Sequence, residues 1–439
     1  MVDAFLPIEN GDSRPLRVLF LDINAYFASV EQQEQPYLRG KPIAVAPVDT
    51  DSTCAIAASY EAKRFGIKTG TNIGEARRLC PELVVVPARP PLYVHYHQRI
   101  IETAETVLPV DKVCSIDEMR FRLIGAEREP GMARELATRM KRRICAELGE
   151  CITCSVGVAP NSFLAKLATE MQKPDGLVIL QKDDLPGRLL DLKLTDFTGI
   201  NRKMKARLNG AAIFTVADLL AQDRAGLKKA FGSVIGERWW YLLRGFEMEL
   251  AETAQKSLGH SHVLAPEMRT DQGCRDVLLR LISKATARLR SNQLCAESFS
   301  VYVSGFDKSW GTQRRIDATN DTLRVNDEFA KMWADRDFAR PRTVGITFSS
   351  LKPFDAVTPS LFDSPQDHLK LNAALDELNQ KFGKNSVFLG AIHRSRDAAD
   401  EKIAFNKVEL FSEGKGDNEW VDTFRGHPPK AKQKRPRRA

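Results

Sequence analysis

Residues 114–123 read CSIDEMRFRL. Asp117 and Glu118 stand side by side in a stretch that otherwise suits a strand, and Arg120 and Arg122 follow at once. Paired carboxylates beside an apolar strand are costly to bury unless a cation neutralises them. In a strand Glu118, Arg120 and Arg122 share one face, so either these arginines or a metal ion fills that role.

Working outward, RVLFLDI (17–23) is a compact apolar run that reads as a buried strand. A helical stretch, AYFASVEQQ, follows it. After an insert at 34–80 come LVVVP, the amphipathic LYVHYHQRIIETAETVL, and the tandem strands DKVCSID and EMRFRLI. A helix over about 131–149, the strand CITCSVGVA and the helix NSFLAKLATEMQ complete the series. Without the insert this order is strand, helix, strand, strand, helix, strand, a split βαβ plan. It brings Asp22, at the end of the first strand, to the Asp117–Glu118 junction. Residues 177–250 read as helical. From 257 a second split βαβ pattern follows, then a short apolar piece and one more helix.

The chain has 439 residues, of which 43% are hydrophobic, enough for several domains with full cores. No stretch approaches the roughly 18 apolar residues of a membrane span. The N-terminal MVDAFLPIENGDSRP lacks a signal-peptide pattern, and a cytoplasmic protein is expected. The eight cysteines are scattered, and the single C-x-x-C, Cys151 and Cys154, has no second pair at zinc spacing. The net charge is +8, and six of the cations lie in the tail PKAKQKRPRRA. The rest carries only +2, so any polyanion site in the folded part must be local.

Three acids converging at one sheet end suit Mg²⁺, a hard ion that takes oxygen ligands and substrate phosphates. Spacing alone leaves ordinary acid–base pairing on a solvated edge as the alternative. The stretches DINAYFASVEQ, SYEAKRFGI, SIDE and VGVAPNSFLAKLATEMQKPDG, in that order, resemble the Y-family translesion DNA polymerases, the polymerase IV and polymerase V catalytic-subunit type. Asn24, where polymerase IV has a second Asp, leans towards the polymerase V branch.

The resemblance implies an α+β right-hand polymerase with a ferredoxin-like palm (1–33 and 81–176), small fingers (34–80) and a helix-hairpin-helix thumb (177–250). A βαββαβ little finger (257–355) would follow. A clamp-peptide-like segment with a C-terminal helix (356–411) and a basic tail expected to be disordered (412–439) would close the chain. It implies that Asp22, Asp117 and Glu118 are catalytic and hold two Mg²⁺ ions, with the Ile23 carbonyl on the nucleotide-bound one. Phe27 would be the steric gate against ribose. Tyr60, Lys63 and Lys173 would bind the dNTP triphosphate, with Lys63 standing where the family usually has Arg.

In the same way Gly199, Lys203, Arg314, Arg315 and Arg342 would contact primer-template DNA, as would Lys205 and Arg207. Leu361 and Phe362 keep the apolar end of a sliding-clamp peptide in TPSLFD (358–363). A monomer without membrane contact is expected. Met119, Arg120 and Arg122 depart from the family pattern after SIDE. They leave open a second reading, a catalytically weak paralogue that scaffolds DNA and clamp.

Overall fold

The computed structural model describes residues 15–248, 255–357, 366–383, 385–395 and 398. The apolar end of the clamp-like segment, Leu361 and Phe362, and the basic tail lie outside them. The described residues divide into two compact units, one within Met1–Leu250 and one within Ala251–Lys402.

In the first unit, β1 (Val18–Ile23) turns directly into α1 (Tyr26–Glu34). The junction residue Ala25 has φ 48°, a left-handed conformation that costs a non-glycine residue about 1 kcal/mol. β2 (Ile43–Ala46), β3 (Ala57–Ala58) and β4 (Val84–Pro87) make a small sheet in the order β3-β2-β4, accompanied by α2 (Tyr60–Lys63) and α3 (Ile73–Leu79). β4 lies within the stretch expected to form the palm, yet it pairs in parallel with β2, which lies in the stretch expected to form the fingers.

Then come α4 (Pro90–Glu105), β5 (Val110–Val113), β6 (Glu118–Arg122), α5 (Pro130–Leu148), β7 (Cys154–Ala159), α6 (Ser162–Met171) and β8 (Leu177–Ile179). They form a five-stranded sheet in the order β5-β6-β1-β7-β8. Both split βαβ units of the expected palm are present, with β6 between β1 and β5, and β1 between β6 and β7. The helical thumb was expected to begin at 177. Instead Leu177–Ile179 adds a fifth strand, parallel to β7, because three apolar residues can extend the open sheet edge there.

β1 is buried on both sides, as a continuous apolar central strand should be. Leu19, Leu21 and Ile23 pack with Met119 and Phe121 into the core beneath α4 and α5. Val18 and Phe20 face the core of α6 and of the helices α7 (Arg202–Gly210), α8 (Val216–Ala221), α9 (Arg224–Phe231) and α10 (Val234–Leu242), in the stretch expected to form the thumb. Asp22 shares the parity of Val18 and Phe20, which sets it on the α6 face.

An ion pair with a buried carboxylate ties α1 to the start of α4. The Glu31 carboxylate is fully buried and accepts Arg89 Nη2 at 2.5 Å, Arg89 Nε at 3.1 Å and the Tyr93 hydroxyl at 2.7 Å. Removing one partner of such a pair leaves the other charge uncompensated. Because Arg89 is partly exposed, Glu31→Ala should cost about 1–3 kcal/mol in denaturant unfolding. A loss below about 1 kcal/mol would mean that water solvates the freed guanidinium as well as the carboxylate did.

The second unit contains β9 (Ser257–Val263), α11 (Asp271–Ser291), β10 (Leu294–Lys308), β11 (Trp310–Thr319), α12 (Thr322–Trp333), β12 (Ala339–Pro353) and α13 (Gln366–Phe382). The sheet order is β11-β10-β12-β9, antiparallel throughout. Here too each βαβ is split by a third strand. Phe299, Val301, Val344, Ile346 and Phe348 of the two central strands pack against Leu278, Ile282, Val325 and Phe329 of α11 and α12.

Candidate active site

Antiparallel pairing of β1 with β6 sets Asp22 directly opposite Glu118, close enough for the two side chains to interact on one face. The Ile23 amide donates to the Asp117 carbonyl at 2.9 Å, which fixes the third acid at the same sheet end. β6 explains EMRFRL by alternation. Met119 and Phe121 are fully buried in the α4–α5 core, while Glu118, Arg120 and Arg122 line the opposite face. Arg120 does not turn to Glu118. Its Nε donates to Asp111 Oδ2 at 2.6 Å on the adjacent β5, so it braces the sheet edge and leaves the acids alone.

The cations that meet the acids come from α6 and from the turn after it. Lys166 Nζ contacts Asp22 Oδ2, with Glu118 Oε1 at 3.1 Å and Glu170 Oε1 at 2.8 Å. Lys173 Nζ lies 2.8 Å from both Asp22 Oδ1 and Glu170 Oε1. Lys166 had not been singled out from the sequence. Its signal was the spacing Lys166, Glu170, Lys173, which places three charged residues on one side of a helix and its exit. Burial opposes the Lys166 charge, but Asp22, Glu118 and Glu170 hold its ammonium well above the ordinary lysine value.

Asp117 is pushed up to about 6. Burial is the main cause, and the carboxylates of Asp22 and Glu118 add to it. A hydrogen bond from the Ser115 hydroxyl to Oδ1, at 2.5 Å, and the charge of Lys166 work against the rise. Among the described residues no three acids, histidines or cysteines close on one point as a metal donor set. The oxygens of Asp22, Glu118 and Glu170 gather instead around an ammonium. Hard oxygens collected around a cation are the donor chemistry that Mg²⁺ uses, so the residues fit such an ion.

Asn24 follows Asp22 and is buried. Its side chain accepts from Ser155 Oγ at 3.0 Å and donates to Thr153 Oγ1 at 3.2 Å. Tyr60 opens α2, and the Lys63 ammonium lies 4.0 Å from the centre of its ring. Burial, then Asp22 and Glu170, push the Tyr60 phenol up to about 12. Burial and the nearby Lys173 lower Lys63. Tyr60, Lys63 and Lys173 thus neighbour one another and Asp22. Phe27 is 3% exposed, its ring 4.6 Å from Tyr93 and 5.4 Å from Tyr26.

The expected DNA contacts fare unevenly. Gly199 has φ 107°, a conformation that favours glycine, in the turn before α7. Asn201, where a second hairpin glycine would stand, caps α7 by accepting the Met204 amide at 2.9 Å. Lys203 and Lys205 are exposed. Arg207 is committed to the Phe231 carbonyl at 2.8 Å. Arg314 and Arg315, both expected to contact DNA, are neighbours in β11, and neighbours in a strand point to opposite faces. Arg314 pairs with Glu328 of α12 at 2.8 Å, whereas Arg315 is exposed. Arg342 is exposed at the start of β12.

Comparison with known proteins follows the same outline. The impB/mucB/samB family matches residues 21–170, and the C-terminal domain of that family matches residues 255–361. DNA polymerase IV of Moorella thermoacetica (strain ATCC 39073 / JCM 9320) is 33% identical over 380 residues, covering 84% of this chain and 94% of that protein. DNA polymerase IV 1 of Bacillus subtilis (strain 168) is 28% identical over 412 residues, covering 89% and 97%. The branch suggested by Asn24 finds no support in these two names.

Among solved structures, the Y-family DNA polymerase chimera Dbh-Dpo4(243-245)-Dbh matches with a TM-score of 0.65 at 24% identity, covering 77% of this chain and 99% of its own. An insertion ternary complex of Dbh DNA polymerase matches with a TM-score of 0.52 at 25% identity, with the same coverage.

Proposed function

The chain belongs to the impB/mucB/samB family of Y-family DNA polymerases, and from that premise we propose how its residues divide the work of translesion synthesis. It is a DNA-directed DNA polymerase. Family membership does not favour the reading as an inactive scaffold. The observation that carries the assignment of the site is the register Asp22↔Glu118, with Asp117 tied to the Ile23 amide and Lys173 beside Asp22.

Asp22, Asp117 and Glu118, with the Ile23 carbonyl, would hold two Mg²⁺ ions. Such ions supply charge stabilisation for the attacking and leaving oxygens of phosphoryl transfer. The chain's own residues do the rest. Tyr60, Lys63 and Lys173 offer a hydroxyl and two ammonium groups to the dNTP triphosphate, whose anionic oxygens need donors. Asp22 and Glu170 hold Lys173 and keep its ammonium at the site. Phe27 presents an immobile ring to the sugar. Lys203, Lys205, Arg315 and Arg342 grip backbone phosphates, which positions DNA without selecting a sequence.

Primer extension tests the whole reading. The purified chain should extend a primer on undamaged and lesion-bearing templates with Mg²⁺, and excess chelator should stop it. A folded protein that binds primer-template and dNTP yet adds no nucleotide would return the scaffold reading.

A further inference from the structure

In the second unit, Phe306 lies near the end of β10, in the sequence SGFDKSW. The ring is 53% exposed. Three guanidinium groups surround it, with Cζ of Arg340 at 5.3 Å, Arg342 at 5.7 Å and Arg269 at 5.9 Å from its centroid. Arg269 is steadied by a bond from its Nε to the Leu264 carbonyl at 3.2 Å. Arg340 pairs with Asp307 at 3.2 Å. Among the described residues neither Arg269 nor Arg342 has a carboxylate partner.

The backbone is shaped to make this cluster. The β10–β12 ladder slips at Gly305, which faces Pro341, whereas Lys308 faces Ala339. A bulge of this kind re-aims the side chains it carries. Any side chain at 305 would meet the carbonyls of Ala339 and Lys308 at 2.1 and 2.2 Å. Arg340, opposite the bulge, adopts φ 47°, a left-handed conformation that bulky residues rarely take. Trp310, which opens β11, and Phe338, just before β12, pack against the core. Phe306 is held out from it, and three like charges are brought together around it. Contacts of guanidinium with an exposed ring are worth about 0.5–1 kcal/mol each, little compensation for that crowding.

A flat apolar face rimmed by cations fits one ligand class well, an unpaired nucleobase with its flanking phosphates. Bases stack on aromatic rings whatever their sequence, and arginines hold the strand beside them. Duplex DNA buries its base faces against one another and offers none in mid-helix. We propose that Phe306, with Arg269, Arg340 and Arg342, is a stacking platform for single-stranded DNA. The proposal rests on the polymerase reading in one respect: a template ahead of a primer end is single-stranded. It adds a base-face contact to a domain otherwise assigned phosphate contacts.

The test uses the full chain, a labelled short oligothymidine and a blunt duplex. Phe306→Ala should weaken binding of the oligothymidine about tenfold, the scale of one lost stacked base, with a smaller loss on the duplex. Phe306→Trp should restore it. The slope of log affinity against log salt should stay the same in Phe306→Ala, because no phosphate contact is removed, and should flatten in the triple Arg269→Ala, Arg340→Ala, Arg342→Ala variant.

Equal losses on both DNAs, no loss at all, or failure of Phe306→Trp to rescue would overturn the platform, including the case in which the patch serves a protein partner. An unfolding midpoint matching the parent excludes misfolding for an exposed position. Primer extension by the same preparations separates this failure from failure of the polymerase reading.

Discussion

Asp117→Asn should abolish primer extension and, in the same preparation, make the protein more stable at neutral pH. The two effects have one cause. Asp117 is half-buried beside Asp22 and Glu118, and its carboxyl stands at about 6 against an ordinary 3.8. The fold therefore holds that proton more tightly than the unfolded chain does. Its contribution to stability is full below pH 3.8, where both states are protonated, and is lost as the pH rises through about 6. Above that the ionised carboxylate is a burden of at most about 3 kcal/mol, the free-energy equivalent of that displacement.

Asparagine is close in shape, can still accept the Ser115 hydroxyl, and carries no charge. With divalent ions chelated, the variant should exceed the parent by about 1–3 kcal/mol at pH 8, and the difference should fade towards pH 4. Adding Mg²⁺ should raise the parent's melting temperature more than the variant's, since a ligand that binds only the native state stabilises it. Loss of an outer-shell partner of a metal ligand already costs 10–100-fold, so loss of a ligand should lower extension by at least about 100-fold. Undiminished extension would remove Asp117 from the metal set. A variant no more stable than the parent at pH 8 would sink the crowding argument even if activity were lost. Together the outcomes describe a site whose charge arrangement is bought at the expense of the fold, a common trade in enzymes.

How far the sequence could be read depended on which physical signal each element carries. The β1–β6 register was legible because strand alternation fixes which residues face the core, and the apolar Leu19, Leu21, Met119 and Phe121 leave Asp22 and Glu118 one way to meet. Arg120 was harder. Same-face neighbours within a strand follow from parity, but a partner on the next strand depends on the β5–β6 register, which shifts between Val110 and Lys112.

Lys166 was overlooked although its helical spacing to Glu170 was in plain view. β8 is only three residues long, too short for periodicity to declare it. Arg314 and Arg315 show the reach of alternation, which alone parts them onto opposite faces. The exposure of Phe306 comes from a ladder slip, which leaves almost no trace in sequence beyond Gly305.

Phe27→Ala should let the enzyme use ribonucleotides, and the structure says how the experiment must be built. Phe27 is 3% exposed and packs on Tyr93, whose hydroxyl is anchored to the buried Glu31. A ring braced in this way cannot give ground to an extra oxygen. Forcing atoms into a packed site costs about 1–3 kcal/mol, a factor of roughly 5–150 in selectivity. Truncation to Ala should relax discrimination between dNTP and rNTP by that order.

It should also destabilise the fold by about 3–5 kcal/mol, because a buried ring leaves a cavity. Raw rates would then mix lost selectivity with lost protein. The ratio of kcat/KM for rNTP to that for the matching dNTP, measured on one preparation, cancels the active fraction, since both values report transition-state stabilisation by the same folded molecules. Phe27→Leu gives a second reading with a smaller cavity and should fall between parent and Ala. A ratio that stays at the parent's value in both variants, while melting temperatures drop, would make Phe27 a core residue only. The limit on ribose would then have to come from elsewhere around Tyr60.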